Sequence, residues 1–212
     1  MKILLKVVLL LYQNNIVNSE GLEVSRTNIM LPQMKATMAL NQRKIFLYDD
    51  VDENSIFECI YYLNRLENMD NKIGSKEPIY IMINSNGGNV YDCLSLISLI
   101  EKMKNEGYKI VTVNMGRAFS CGFLLSIVGS ERVSYAYSDY MFHDISSIEY
   151  GKLNTMIEGI EEMKRLRDKL SGIVMKYTNI TKDLLDLWYK NKTDKYFSAE
   201  EALEYGIADK IV

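Results

Sequence analysis

Two residues of this 212-residue chain, Ser120 and His143, stand where acyl-transfer chemistry could be done. Ser120 follows Met115-Gly116-Arg117-Ala118-Phe119, where an apolar strand ends in a glycine-containing turn. It opens a second apolar run to Val128 that reads as a short buried helix. A hydroxyl at such a junction sits beside backbone N–H groups and the positive end of a helix dipole, which favours an oxyanion forming next to it. A serine there can equally be a helix cap, so its neighbours must decide between the two roles. His143 is the only histidine and ends the apolar segment Tyr140-Met141-Phe142. Imidazole suits proton transfer near neutral pH, so if the chain is a serine hydrolase His143 is its base. The competing role is a structural histidine.

A third segment, Asn84-Ser85-Asn86-Gly87-Gly88-Asn89-Val90, places two glycines at a strand-to-helix turn, where backbone must approach something closely or adopt positive φ. Such a turn can supply N–H groups to an oxyanion hole together with the residue after the nucleophile; its plainer role is a tight turn. The chain has neither the GxxxxGK[ST] phosphate loop nor the GxGxxG fingerprint, which excludes a nucleotide reading.

These segments need a frame. Pro78 to Ile83 is a nearly continuous apolar strand of the kind buried on both faces of a parallel sheet. Around it strands at about 44–48, 109–115 and 133–137 alternate with helices at about 54–68, 90–104 and 120–128, which makes the class α/β with a parallel core. Residues 152–177 form one long amphipathic helix, with Met156, Ile160, Met163, Leu166 and Leu170 on a stripe, and a second helix follows at about 181–190. Residues 1–40 lack a period and contain Gly21 and Pro32, so they read as an extended or loop-like arm ahead of a single domain at 41–212.

The composition, 48% hydrophobic and 25% charged, suits one soluble domain. With a net charge of −3 there is no excess of Lys or Arg for a phosphate backbone, which argues against nucleic-acid binding. Cys59, Cys93 and Cys121 form no metal-binding spacing and fit a reducing, cytoplasmic setting, with no metal and no cofactor expected. The stretch Ile3 to Tyr12 after Lys2 has the look of a signal peptide but no small-x-small cleavage site; the alternative is an N-terminal strand or docking arm. It is too short to span a bilayer, and elsewhere no apolar stretch is long enough to do so, so no membrane partner is expected.

The ordered motifs resemble the Clp peptidase family, self-compartmentalising serine peptidases of crotonase-like α/β fold, from about Arg43 to Val212. Ile83-Asn84-Ser85-Asn86-Gly87-Gly88 is similar to its INSPGG, with Asn86 in place of proline. Met115 to Gly122 is similar to its MGxAxSMG, Met141-Phe142-His143 to its MIH, and Ser198 to Asp209 to its SAEEAxEYGxxD. Missing residues after His143 and a short Ser-to-His interval mark a divergent branch, closer to the Clp-like proteases of phages and prophages. The resemblance implies Ser120 as nucleophile, His143 as base, and the N–H groups of Gly88 or Asn89 and of Cys121 as oxyanion donors. For the triad acid it offers Asp194, the only carboxylate in its loop, or alternatively Asn191, at the acid's aligned position. It further implies polypeptide substrates, a handle helix at 152–177, stacked homo-oligomeric rings and a possible AAA+ unfoldase partner. Two other readings are a catalytically inactive structural subunit of a mixed ring and an acyl-CoA enzyme of the wider crotonase superfamily.

Overall fold

The computed structural model describes residues 26–146 and 150–212; the Ile3–Tyr12 stretch lies outside them. Residues Lys35–Val212 form one compact unit. A helix, α1 (Arg26–Asn41), corrects the loop reading for residues 26–40, and Pro32 lies within it; the rest of the arm lies outside the described residues. Its last turns are rich in strong helix formers, and burial of Ala39 against the core outweighs the lack of an amphipathic period.

Then follow β1 (Lys44–Leu47), α2 (Glu53–Ile73), β2 (Ile79–Ser85), α3 (Val90–Asn105) and β3 (Ile110–Phe119). The chain continues through α4 (Cys121–Ile127), β4 (Glu131–Ser134), β5 (Asp139–Phe142), α5 (Leu153–Tyr177) and α6 (Lys182–Asn191). It ends with β6 (Lys195–Phe197), α7 (Ala199–Glu204) and β7 (Lys210–Ile211). Helix α2 starts at a reciprocal cap, in which the Ser55 N–H donates to the Asp52 carboxylate at 2.8 Å and the Asp52 N–H to Ser55 Oγ at 3.1 Å. It runs beyond the expected residue 68 and stops at Gly74, whose φ of 71° supplies the left-handed C-cap.

The sheet runs β1-β2-β3-β4-β7, all parallel, with β2 buried at Ile79, Ile81, Met82 and Ile83 as its continuous apolar run predicts. The departure from expectation that matters is β3. It continues four residues past Met115 and forks: Val111–Asn114 pair with β4, whereas Arg117–Phe119 pair with β5. Met115-Gly116-Arg117 therefore crosses a fork where the sequence suggests a turn. Asn114, fully buried, holds the fork, because its Oδ1 accepts the Gly116 N–H at 3.1 Å and its Nδ2 donates to Asp139 O at 3.0 Å. Strand β4 ends at Ser134 instead of Tyr137, since the Ser138 N–H donates to Tyr135 O and closes a turn there.

Strand β6 pairs antiparallel with β5, and the rings of Phe123, Phe142, Trp188, Phe197 and Tyr205 form a packed aromatic cluster with centroids 5.2–6.5 Å apart. The cluster anchors Phe142, the residue before His143. On α5 only part of the expected stripe is buried: Leu166 and Leu170 are covered, while Met156 and Ile160 are 37% and 47% exposed.

One buried ion pair supports the sheet edge. Arg43 grips Asp70 with two bonds of 2.9 and 2.6 Å and reaches the carbonyl oxygens of Pro78 and Glu77. The Asp70 side chain is 1% exposed. Removing one partner strands the other charge, so Asp70→Ala is expected to lower unfolding free energy by about 3–5 kcal/mol in urea titration. A loss below about 1 kcal/mol would mean that solvent reaches Arg43 freely.

Candidate active site

The forked sheet brings Ser120 and His143 together. Strand β3 ends at Phe119 and β5 at Phe142, in register as Phe119 opposite Met141, so the residues that follow the two strands emerge side by side. The Ser120 N–H donates to Met141 O at 2.9 Å and ties the Ser120 turn to β5. At this separation Ser120 Oγ and His143 Nε2 are 2.8 Å apart, the geometry of a hydroxyl addressed by a base. Ser120 sits at the N-terminus of α4, yet its side chain makes no capping bond. Its φ of 53° and ψ of −117° lie in a sparsely populated region that costs about 1–3 kcal/mol and is typical of a functional turn.

The glycine turn closes on this serine from the other side. Val51 bridges it in parallel fashion: its N–H donates to Gly87 O and its carbonyl accepts from Asn89 N–H, both at 2.7 Å. The bridge leaves out Gly88, whose N–H has no partner among the described residues. A Cβ on Gly87 would fall 2.6 Å from Ser120 Cβ, and one on Gly88 would fall 2.3 Å from Val51 O, so each position excludes a side chain. Of the two donors weighed in this turn, the Asn89 N–H is occupied by Val51 and its Oδ1 caps α3 through the N–H groups of Tyr91 and Asp92. Gly88 and Cys121 thus carry the free N–H groups next to Ser120.

Between the turn and His143 lies a recess of about 70 Å³ walled by Val90, Leu124, Ile145 and Leu170. A larger cavity of about 640 Å³ between α5 and α6 contains neither Ser120 nor His143.

A sequence model of the Clp protease family matches residues 30–212. The chain belongs to the Clp protease family. A curated relative, the ATP-dependent Clp protease proteolytic subunit 4 of Rhodococcus jostii (strain RHA1), is 29% identical over 178 residues, which cover 82% of this chain and 86% of the relative. The family, a family of peptidases, and its mixed α/β fold with a mostly parallel sheet are those the ordered motifs suggest.

In this Clp protease family chain the place of a triad acid is open. Among the described residues the only hydrogen-bond partner of the His143 ring is Ser120. Asp194, exposed in the loop before β6, lines a cavity of about 450 Å³ together with His143, Arg167 and Trp188. Asn191 is the last residue of α6, exposed and outside that cavity's walls. Asp144 turns to Arg167 at 3.5 Å, as an alternating segment requires of the residue next to His143. Among the described residues no three His, Cys, Asp or Glu side chains gather as a metal site, and no helix is long and apolar enough to cross a membrane. Sequence reasoning missed Val51 and Asn114; the one signal for Asn114 is a lone amide closing the apolar run Ile110 to Val113.

Proposed function

We propose that the chain is a serine-type endopeptidase that cleaves unfolded or threaded polypeptides through an acyl-enzyme inside a homo-oligomeric ring. The observation that carries this is the 2.8 Å contact between Ser120 Oγ and His143 Nε2. Ser120 Oγ attacks the scissile carbonyl while His143 Nε2 takes its proton, and the Gly88 and Cys121 N–H groups receive the oxyanion. His143 then protonates the leaving amine, and a water deprotonated by His143 hydrolyses the Ser120 ester. Asp194 is the acid that orients the imidazole, because it shares a cavity with His143 whereas Asn191 does not.

The exposed apolar residues Leu153, Met156, Ile157 and Ile160 on the first half of α5 support an oligomer, since a second copy would cover them. The relative's name, a proteolytic subunit of an ATP-dependent protease, supports an AAA+ unfoldase as partner. Three unpaired thiols suit a reducing cytoplasmic compartment. The acyl-CoA reading leaves the Ser120–His143 contact without a use. The inactive-subunit reading has one observation behind it, the lack of a carboxylate on His143 among the described residues.

A fluorophosphonate separates these readings. The assembled protein is expected to label at Ser120, more slowly by about tenfold or more in Asp194→Ala and at the wild-type rate in Asn191→Ala. An assembled wild type that does not label identifies an inactive subunit, and a particle with the mass of a monomer rejects the ring.

A further inference from the structure

Two thiols are packed behind the nucleophile, and the acyl-transfer scheme uses neither. Cys121, 2% exposed, walls the recess beside Ser120, and Cys93, fully buried on the first turn of α3, lies against it. The Cys93 thiol donates to Cys121 O at 3.5 Å and the Cys121 thiol to Gly88 O at 3.2 Å. Sulfur chemistry at Cys121 would therefore act on the same two residues, Gly88 and Cys121, that offer the free N–H groups.

We propose that Cys121 and Cys93 form a modification site at which a peroxide makes a reversible disulfide that closes the Ser120 site; the closure, though not the disulfide, rests on the peptidase reading. The recess of about 70 Å³ opens beside Ser120 and is several times the ~10–15 Å³ that one water-sized molecule needs, so hydrogen peroxide fits. The neighbouring Cys93 side chain holds the Cys121 thiol below its usual range, whereas Cys121 and burial push Cys93 well above its own. Cys121 walls the recess and Cys93 does not, so Cys121 is the sulfur that meets the oxidant and Cys93 the one that resolves it.

The Cys121 thiolate attacks one peroxide oxygen, the O–O bond breaks, and sulfenic acid and hydroxide form. The Cys93 sulfur then attacks the Cys121 sulfur; an S–S bond replaces the S–O bond, and the oxygen leaves as water with the Cys93 proton. In total two thiols give two electrons and two protons to one peroxide, which becomes two waters. A disulfide draws the sulfurs to about 2.0 Å, shorter than any hydrogen-bonded contact, and removes the S–H that Gly88 O accepts. Both changes shift the Cys121 N–H relative to Gly88, and a displacement near 1 Å costs about a hundredfold in rate.

The full-length protein, treated with hydrogen peroxide and mapped by mass spectrometry without reductant, is expected to show the Cys93 and Cys121 peptides joined. Ser120 labelling by fluorophosphonate should slow about a hundredfold and recover with dithiothreitol. Cys93→Ser should give no cross-link, and Cys59→Ser should behave as wild type. Cys121 remaining a thiol, or turning to sulfinic acid with Cys93 free, overturns the proposal, and so does a cross-linked protein that labels at full rate. A reduced protein that never labels refutes the peptidase reading instead, while the peptide map still decides the disulfide.

Discussion

Ser120→Ala should lower peptide hydrolysis by about 10⁵–10⁶-fold, roughly 7–8 kcal/mol of transition-state stabilisation. The size follows from what the hydroxyl does: without Oγ there is no acyl-enzyme, and His143 loses the only ring partner it has among the described residues. The Gly88 and Cys121 N–H groups stay in place, so the residual rate above uncatalysed hydrolysis reports their share alone. The substitution removes one half-buried oxygen that makes no capping bond and whose partner among the described residues is the His143 ring alone, so the unfolding midpoint in denaturant should stay close to that of the wild type. Turnover of a fluorogenic peptide, measured beside labelling, checks this; a variant that keeps even a tenth of wild-type turnover would assign the nucleophile elsewhere.

Gly87→Ala should lower kcat at least about a hundredfold with Ser120 and His143 both intact, the scale of losing one oxyanion donor. A methyl on Gly87 meets Ser120 Cβ at 2.6 Å, Phe119 O at 2.7 Å and the Cys121 nitrogen at 2.8 Å. Two of these three atoms are backbone, so the collision cannot be relieved by a rotamer change and must separate the glycine turn from the Ser120 turn. Gly107→Ala is the matched control. Gly107 has a similar φ, 90° against 97°, but its added Cβ meets nothing within 4 Å. Both variants bear the strain of a left-handed alanine, about 1–2 kcal/mol, and only one touches the site. Equal kcat losses in the pair would trace the effect to strain and remove the collision as its cause.

The sequence displays what depends on neighbours within a few residues. The Gly87-Gly88 turn, the Ser120 junction and the single histidine are local patterns, and the apolar run Pro78 to Ile83 announces a buried strand. The fork of β3 is hidden because Met115-Gly116-Arg117 looks like a turn until the distant residues Asp139–Met141 supply its pairing partners. The helix Arg26–Asn41 is hidden for the opposite reason: Pro32 is a strong local signal against it, overridden by helix formers and by burial of Ala39. Asn89 looks equal to Gly88 in the alignment of motifs, and only the bridge from Val51 tells the occupied N–H from the open one. Whether Asp194 or Asn191 can reach His143 depends on how a loop folds after α6, which no spacing along the chain encodes.

The Ser120 N–H clamped to Met141 O means that Ser120 and His143 ride on adjacent rungs of one ladder. A displacement that carries the outer half of β3 and β5 together is common to both groups and cancels in their difference. Only relative slip between the two strands reaches the 2.8 Å contact, and slip must break ladder hydrogen bonds first. The pair therefore works as a differential gauge, insensitive to strain applied to the whole lobe. A contact built in this way keeps its length when force is applied to the lobe as a whole.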